Sequence, residues 1–314
     1  MKESARTVNA RRKSLRFRFS NTWDLYFFLI PTLVYFVIFH YAPMYGLQIA
    51  FKTFKIRQGI WGSPWAHPWY YQFERLFSTS LLRTALTNTL MLSAYSLLFG
   101  FLPPIILALM LNQVTNLRFK KFVQTVSYAP HFISVVVMVS MLFCMFSTTN
   151  GIVTRLLGLL GLGPYPVTSE AKYFRGLYVA SDIWQNMGFS AIIYIAALAG
   201  ISPELHEAAV IDGANKAQRI WHVDIPGILP TITILLILRS GSIMNVGFQK
   251  VYLMQTSLNL SRSEILSTYV YKVGLENGDF SFSTAVGMFN SVVNFILIIS
   301  VNAITRRLSE TSLW

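Results

Sequence analysis

Charged residues are scarce and unevenly spaced along this chain, and the intervals between them are its first structural signal. The stretches Leu25–Phe51, Thr84–Leu117, Phe122–Thr154 and Phe280–Thr305 contain no Asp, Glu, Lys or Arg. A helix needs about 20 mostly apolar residues to cross about 30 Å of hydrocarbon, so each stretch predicts one membrane span. Gly176–Pro203 and Ile225–Gln249 are each interrupted by a single charge, Asp182 and Arg239, and read as two further spans. The pattern predicts an all-α integral membrane protein with six transmembrane helices, near 25–45, 87–112, 127–147, 176–199, 228–247 and 284–304.

Composition agrees with the spacing. Of 314 residues, 54% are hydrophobic and 12% charged, about half the charge of an ordinary soluble domain, which excludes a soluble globular enzyme. The same hydrophobicity excludes disorder, and one cysteine, Cys144, leaves no internal disulfide framework. Orientation is read from Lys and Arg beside short connections. Lys2, Arg6, Arg11, Arg12, Lys13, Arg16 and Arg18 precede the first span, Arg118, Lys120 and Lys121 follow the second, and Arg306 and Arg307 follow the sixth. All three runs fall on one side, which predicts cytoplasmic termini. The chain then divides into a basic arm (1–24), a six-span domain (25–304) and a short tail (305–314). The arm reads as a topology determinant touching anionic lipid, not as a nucleic-acid site. The first span is long, carries Pro31 and Pro43 and lacks a small-residue cleavage site before Lys52, so it reads as an anchor instead of a signal peptide.

The segment 202–226, between spans four and five, is more than a connector. Ser202 can cap a helix with Pro203 at its first position, and Glu204 suits the positive end of the helix dipole. Gly213 supplies a break, Asn215 with Gln218 resembles a capping box for a second short helix, and Pro226 is expected to stop that helix before span five. Ala208, Ala209 and Ala214 beside Gly213 leave little bulk at the turn, so another protein can approach closely. The bland alternative is a hairpin that only joins two spans.

Glu207-Ala208-Ala209, Gly213 six residues after Glu207, and Ile225-Pro226 resemble the EAA loop of ABC-importer permease subunits. Val223 and Ile225 stand where the family usually has isoleucine and leucine, and Asp212-Gly213-Ala214 matches the sugar-permease form. Tyr41-Ala42-Pro43-Met44-Tyr45-Gly46, Gly59–Trp65 and Ser127-Tyr128-Ala129-Pro130-His131 are similar to the polysaccharide-import branch, which includes alginate importer subunits. The resemblance implies a type I importer permease fold in a bacterial plasma (inner) membrane. It makes Glu207, Ala208, Ala209, Asp212, Gly213, Ala214, Asn215 and Pro226 the residues that couple to an ATPase. It also implies a second, different permease chain, two ATP-binding cassette subunits, an extracytoplasmic binding protein, and a saccharide moved by alternating access.

Other chemistries find less support. His206-Glu207 lacks the second histidine of a zinc-protease motif, since Val210 stands there, and no glycine-rich phosphate loop ends in Gly-Lys-Ser or Gly-Lys-Thr. No catalytic residue, metal site or bound cofactor is therefore expected, and ATP and Mg belong to partner ATPases. An ion-coupled secondary transporter using Asp182 and Arg239 is the rival reading.

Polar residues inside spans usually face a bundle interior, another chain or a water-filled cavity. Asn290 and Asn294 are four apart, as are Asn245 and Gln249, and span four carries Trp184, Gln185 and Asn186. With Arg239, these form either a hydrophilic path for a sugar or interhelical hydrogen bonds. Asp182 and Arg239 lie at similar depths, about 9 and about 12 Å below the outer boundary at 1.5 Å per residue, which suggests an ion pair; the alternatives are Arg239 facing a substrate carboxylate or Asp182 lying in the interface. Outside, Lys52, Lys55, Arg57, Arg75 and Arg83 oppose Glu74 alone, and Arg155, Lys172 and Arg175 oppose Glu170. A positive outer mouth would concentrate an anionic, uronate-like saccharide, or hold a binding protein or lipid headgroups.

Overall fold

The computed structural model describes residues 23–161 and 165–308, so most of the basic arm and of the tail lie outside the described residues. The chain forms one unit ending at Tyr70 and a second beginning at Tyr71.

In the first unit, helix α1 (Trp23–Phe36) continues through Val37–Tyr41, wound with five-residue hydrogen bonds, and a short helical stretch to Phe51. Tyr26–Phe51 is long and apolar enough to span a membrane. Beyond it the backbone folds on itself: Thr53 N donates to the Pro64 carbonyl and Ala66 N to the Phe51 carbonyl, both at 2.9 Å. Lys52 is buried, its Nζ donating to the Ile60 carbonyl at 2.7 Å over the Trp65 ring. Lys52, one of the cations predicted for the outer mouth, therefore holds this local fold together.

The second unit is built on α2 (Ser80–Asn112) and on helices that follow it: α3 (Leu117–Tyr128), α4 (Val135–Met145), α5 (Ala171–Ala199), α6 (Pro203–Ile211), α7 (Lys216–Arg219), α8 (Ile225–Gly241), α9 (Phe248–Met254), α10 (Leu266–Tyr271) and α11 (Phe280–Leu308). α2 and α5 pack together. One core cluster joins Leu92, Met138, Leu142, Phe174, Tyr178 and Val251; another joins Ile105, Ala108, Ala191, Tyr194, Leu198 and Ile228. A third gathers Leu76, Leu82, Met244, Leu266, Phe282 and Val286. Outward-facing positions such as Leu98, Leu102, Met110 and Phe295 are large, apolar and exposed, as a surface solvated by lipid requires.

Among the described residues four helices are long and apolar enough to span, or six if each of two bent pairs counts as one span. Two predicted spans differ in form. The third is not one helix over 127–147: Leu117–Phe132 and Val135–Met145 meet at 101°. Pro130 lies in the short turn before the break, and Ser134 starts α4 afresh by accepting from Val137 N at 3.3 Å. α4 has 11 residues, about 16 Å at 1.5 Å per residue, half of what a crossing needs. The fifth ends at Gly241, not 247, and reaches back without interruption to Lys216. Pro226 does not stop it. Residues Ile220–Asp224 form a widened turn in which Ile225 N donates to the Ile220 carbonyl, five residues back. A proline has no N–H to give and its ring crowds the carbonyl four residues behind, and the wide turn relieves both demands. Val37–Tyr41 does the same two residues before Pro43, with Ala42 N bonded to the Val37 carbonyl.

Candidate functional site

The 202–226 segment folds as a helix, a turn and a second helix. Pro203 occupies the first turn of α6 with Glu204 beside it, but the Ser202 side chain makes no cap bond; its carbonyl accepts from Leu205 N at 3.2 Å instead. α6 closes in a left-handed turn: Gly213 has φ +77°, its N–H bonds to the Val210 carbonyl at 3.0 Å, and Ala214 N reaches the Ala209 carbonyl at 2.9 Å. This paired closure satisfies carbonyls that a helix end otherwise leaves open, and glycine adopts the required φ without steric cost. The capping box is present in both directions, Gln218 N to Asn215 Oδ1 at 2.9 Å and Asn215 N to Gln218 Oε1 at 2.8 Å. Glu207, Ala208, Asp212, Gly213, Asn215 and Pro226 are exposed, while Ala209 and Ala214 are half-buried. Leu205, Val210, Trp221 and Ile211, the last 85% exposed, surround them with uncovered apolar surface.

Asp224, which sequence reasoning passed over, anchors this segment. Its side chain is fully buried and accepts from Gln113 Nε2 at 2.9 Å and Asn112 Nδ2 at 3.4 Å, with His206 Nε2 also 3.4 Å away. One carboxylate thus ties the end of α2, the exposed helix α6 and the root of α8. The available signal was a lone acid in the apolar run Ile220–Ile228, since such a residue is buried only when hydrogen-bonded.

Asp182 and Arg239 line one cavity of about 240 Å³, with Ser93, Ser96, Tyr178 and Asn245, yet they are not an ion pair. Asp182 Oδ1 lies 3.7 Å from Lys250 Nζ and accepts from Asn186 Nδ2 at 2.9 Å. Asn186 Oδ1 in turn meets His131 Nδ1 at 3.0 Å, and the His131 ring stacks on Phe189 with centroids 4.0 Å apart. Lys250 is 5% exposed and sits over the Tyr178 ring; burial pushes its ammonium pKa down and Asp182 opposes that shift. The guanidinium of Arg239 instead donates to the backbone carbonyls of Ser96 (3.2 Å) and Gly100 (3.3 Å) on α2. The expected pair does not form: the guanidinium is drawn to carbonyls of α2, and the turn after Gly241, where helix five ends six residues early, brings Lys250 of α9 to Asp182.

The remaining predicted path residues divide. Asn290 and Asn294 both donate to Asn245 Oδ1, at 3.2 and 3.3 Å, and Asn294 Oδ1 accepts from Met244 N at 3.1 Å. These amides fasten α11 to the turn after α8. Asn245 lies in that turn and Gln249 is exposed on α9, so they share no helical face. Trp184 borders a separate apolar cavity with Met138, Met141 and Leu142. Some of the cations predicted for the outer mouth are held by acids: Arg75 pairs with Asp279 and Lys172 with Glu170, while Lys272 pairs with Glu264. Arg175 donates to Asn88.

Residues 100–310 match the family described as "Binding-protein-dependent transport system inner membrane component". Protein LplB of Bacillus subtilis (strain 168) is 43% identical over 92% of this chain and 91% of its own length. The polygalacturonan/rhamnogalacturonan transport system permease protein YteP of the same strain is 39% identical over 97% and 94%. Among solved structures, a chain of a bacterial ABC transporter involved in the import of the acidic polysaccharide alginate superposes with a TM-score of 0.86 at 38% identity, covering 94% of this chain and 99% of that one. A second alginate transporter structure, in complex with an alginate pentasaccharide-bound periplasmic protein, gives 0.85 at 38% identity over 94% and 98%.

Proposed function

The chain belongs to the family of binding-protein-dependent transport system inner membrane components, and from that premise we propose that it is a permease subunit of an ATP-driven importer for an acidic oligo- or polysaccharide. A second, different permease completes the pore, two ATPase subunits dock on the cytoplasmic side, and an extracytoplasmic binding protein delivers the sugar. Both termini are cytoplasmic. Polygalacturonan and alginate, named for two relatives, both carry uronic-acid carboxylates, and that shared chemistry supports an acidic substrate.

The observation that carries this reading is the exposed knob of α6. Ile211, Val210 and Leu205 present apolar surface around the open turn at Gly213, and Asp224 joins that knob to α2 and α8. Apolar surface of this kind marks a protein contact, and the buried carboxylate gives the contact a mechanical route into the membrane helices. Closure of the ATPases on ATP moves α6, the permeases open outward to receive sugar, and hydrolysis restores the inward-open state.

Cross-linking tests the docking. With Cys144 replaced by serine, an Ile211→Cys variant in the intact complex joins an ATPase chain under a short bifunctional reagent, while Leu98→Cys, exposed on α2, does not. Uptake then persists under an uncoupler while ATP remains. Uptake that collapses with the proton gradient at constant ATP favours an ion-coupled transporter instead.

A further inference from the structure

We propose that Arg239 selects carboxylate-bearing saccharides, taking as its counter-ion a uronate carboxylate that enters the cavity between Ser93, Asp182 and Asn245. The inference rests on the acidic-substrate reading above and adds the residue that enforces it.

The charge balance of the buried cluster motivates the assignment. Asp182, Lys250 and Arg239 supply two cations and one anion. Lys250 takes Asp182, whose same oxygen also accepts from Asn186. Arg239 is left with the carbonyls of Ser96 and Gly100, and among the described residues no carboxylate stands at ion-pair distance from it. Arg239 lies near the end of α8, inside a candidate span, where an unmatched charge is expensive and is retained when it faces a water-filled or ligand-filled space. Backbone carbonyls orient a guanidinium without neutralising it, and its planar fork of five N–H donors has groups to spare for a carboxylate.

The surroundings fit a saccharide. On one side is the polar cavity of about 240 Å³, where Ser96 Oγ is buried and has no hydrogen-bond partner among the described residues. On the other, Arg239 also borders a cavity of about 560 Å³ walled by Phe101, Phe189, Tyr194 and Leu235. An aromatic wall suits the apolar faces of sugar rings, and the hydroxyls of Ser96 and Tyr178 and the amide of Asn245 suit their hydroxyls. Arg239 stands between the two spaces, so a carboxylate held there is presented to both.

The test uses the intact complex with its binding protein in proteoliposomes. The probes are a mixture of oligogalacturonates and alginate oligosaccharides, and the same mixture with its carboxyl groups methyl-esterified. In the wild type the acid form is preferred. Arg239→Gln is expected to lower the ratio of acid to ester uptake about tenfold or more, the scale of losing one partner of a buried charge pair. Arg239→Lys restores most of the preference. The binding protein is the same throughout, so its own selectivity cancels in the comparison. A proportionate fall for both probes with Arg239→Gln, or no change in either, overturns the role of Arg239 and leaves the acidic-substrate reading standing. Equal uptake of both probes by the wild type overturns the acidic-substrate reading itself, a result seen before any variant is made.

Discussion

The charges at the membrane level show where reading by sequence stops. Asp182 and Arg239 are visible as interruptions of apolar runs, and both line one cavity, yet each has a partner that spacing did not supply. Lys250 was out of reach of that reasoning because it lies outside span five by sequence and returns only through the turn after Gly241. Asp182→Asn removes its counter-charge and leaves a buried ammonium, which costs up to about 3 kcal/mol, the lower end for a buried pair because Asp182 is 29% exposed. Asp182→Asn with Lys250→Met removes both charges and should melt closer to wild type than Asp182→Asn alone, as thermal unfolding of the detergent-solubilised complex would record. Gly213 gives the opposite kind of prediction. A side chain there meets open space but must adopt φ +77°, at about 1–2 kcal/mol. Gly213→Val should therefore leave the amount of protein in the membrane near normal while uptake falls and ATP hydrolysis continues; normal uptake at normal expression would remove α6 from the mechanism.

At the level of elements, the loop helices were legible because their end signals are local. The Asn215–Gln218 box and the Gly213 closure depend on neighbours within six residues, and both form. Elements shaped by tertiary packing were less legible. Pro226 reads as a stop by local rules, but a widened turn carries the helix past it, and the third span bends at 101° just after Pro130, a break that the absence of charge over 122–154 masked. Asp224 belongs to the same class, since its partners come from residues 18 or more positions away in sequence. Asp224→Ala deprives the Gln113 and Asn112 amides of an acceptor, at about 1–3 kcal/mol. Trypsin should cut faster at Lys216 and Arg219 in this variant, and an unchanged cleavage rate would deny Asp224 its anchoring role. Helix contact sets another limit. A Cβ on Gly188 of α5 would come within 2.0 Å of the Ser127 carbonyl oxygen on α3. Gly188→Ala should lower the melting temperature of the complex by forcing α3 and α5 apart, at about 1–3 kcal/mol for such overpacking, whereas Gly176→Ala, where a Cβ meets nothing, should not.

For the molecule as a whole, the spacing of charges established the membrane class, and the loop at 202–226 carried the family resemblance. The finer substrate reading was least legible, because the basic residues that suggested it are partly committed: Arg75 to Asp279, Lys172 to Glu170 and Lys52 to the Ile60 carbonyl. The 73° angle between α5 and α6 has a further consequence, which is geometric leverage. α5 has 29 residues and α6 nine, so the two arms are about 43 and about 13 Å long at 1.5 Å per residue. Were the elbow between them rigid, a shift of about 2 Å at the short arm would correspond to about 6 Å at the far end of α5, in the ratio of those lengths. The motion that docking on α6 passes to α5 would then depend on the rigidity of that elbow as much as on the strength of the grip on its short arm.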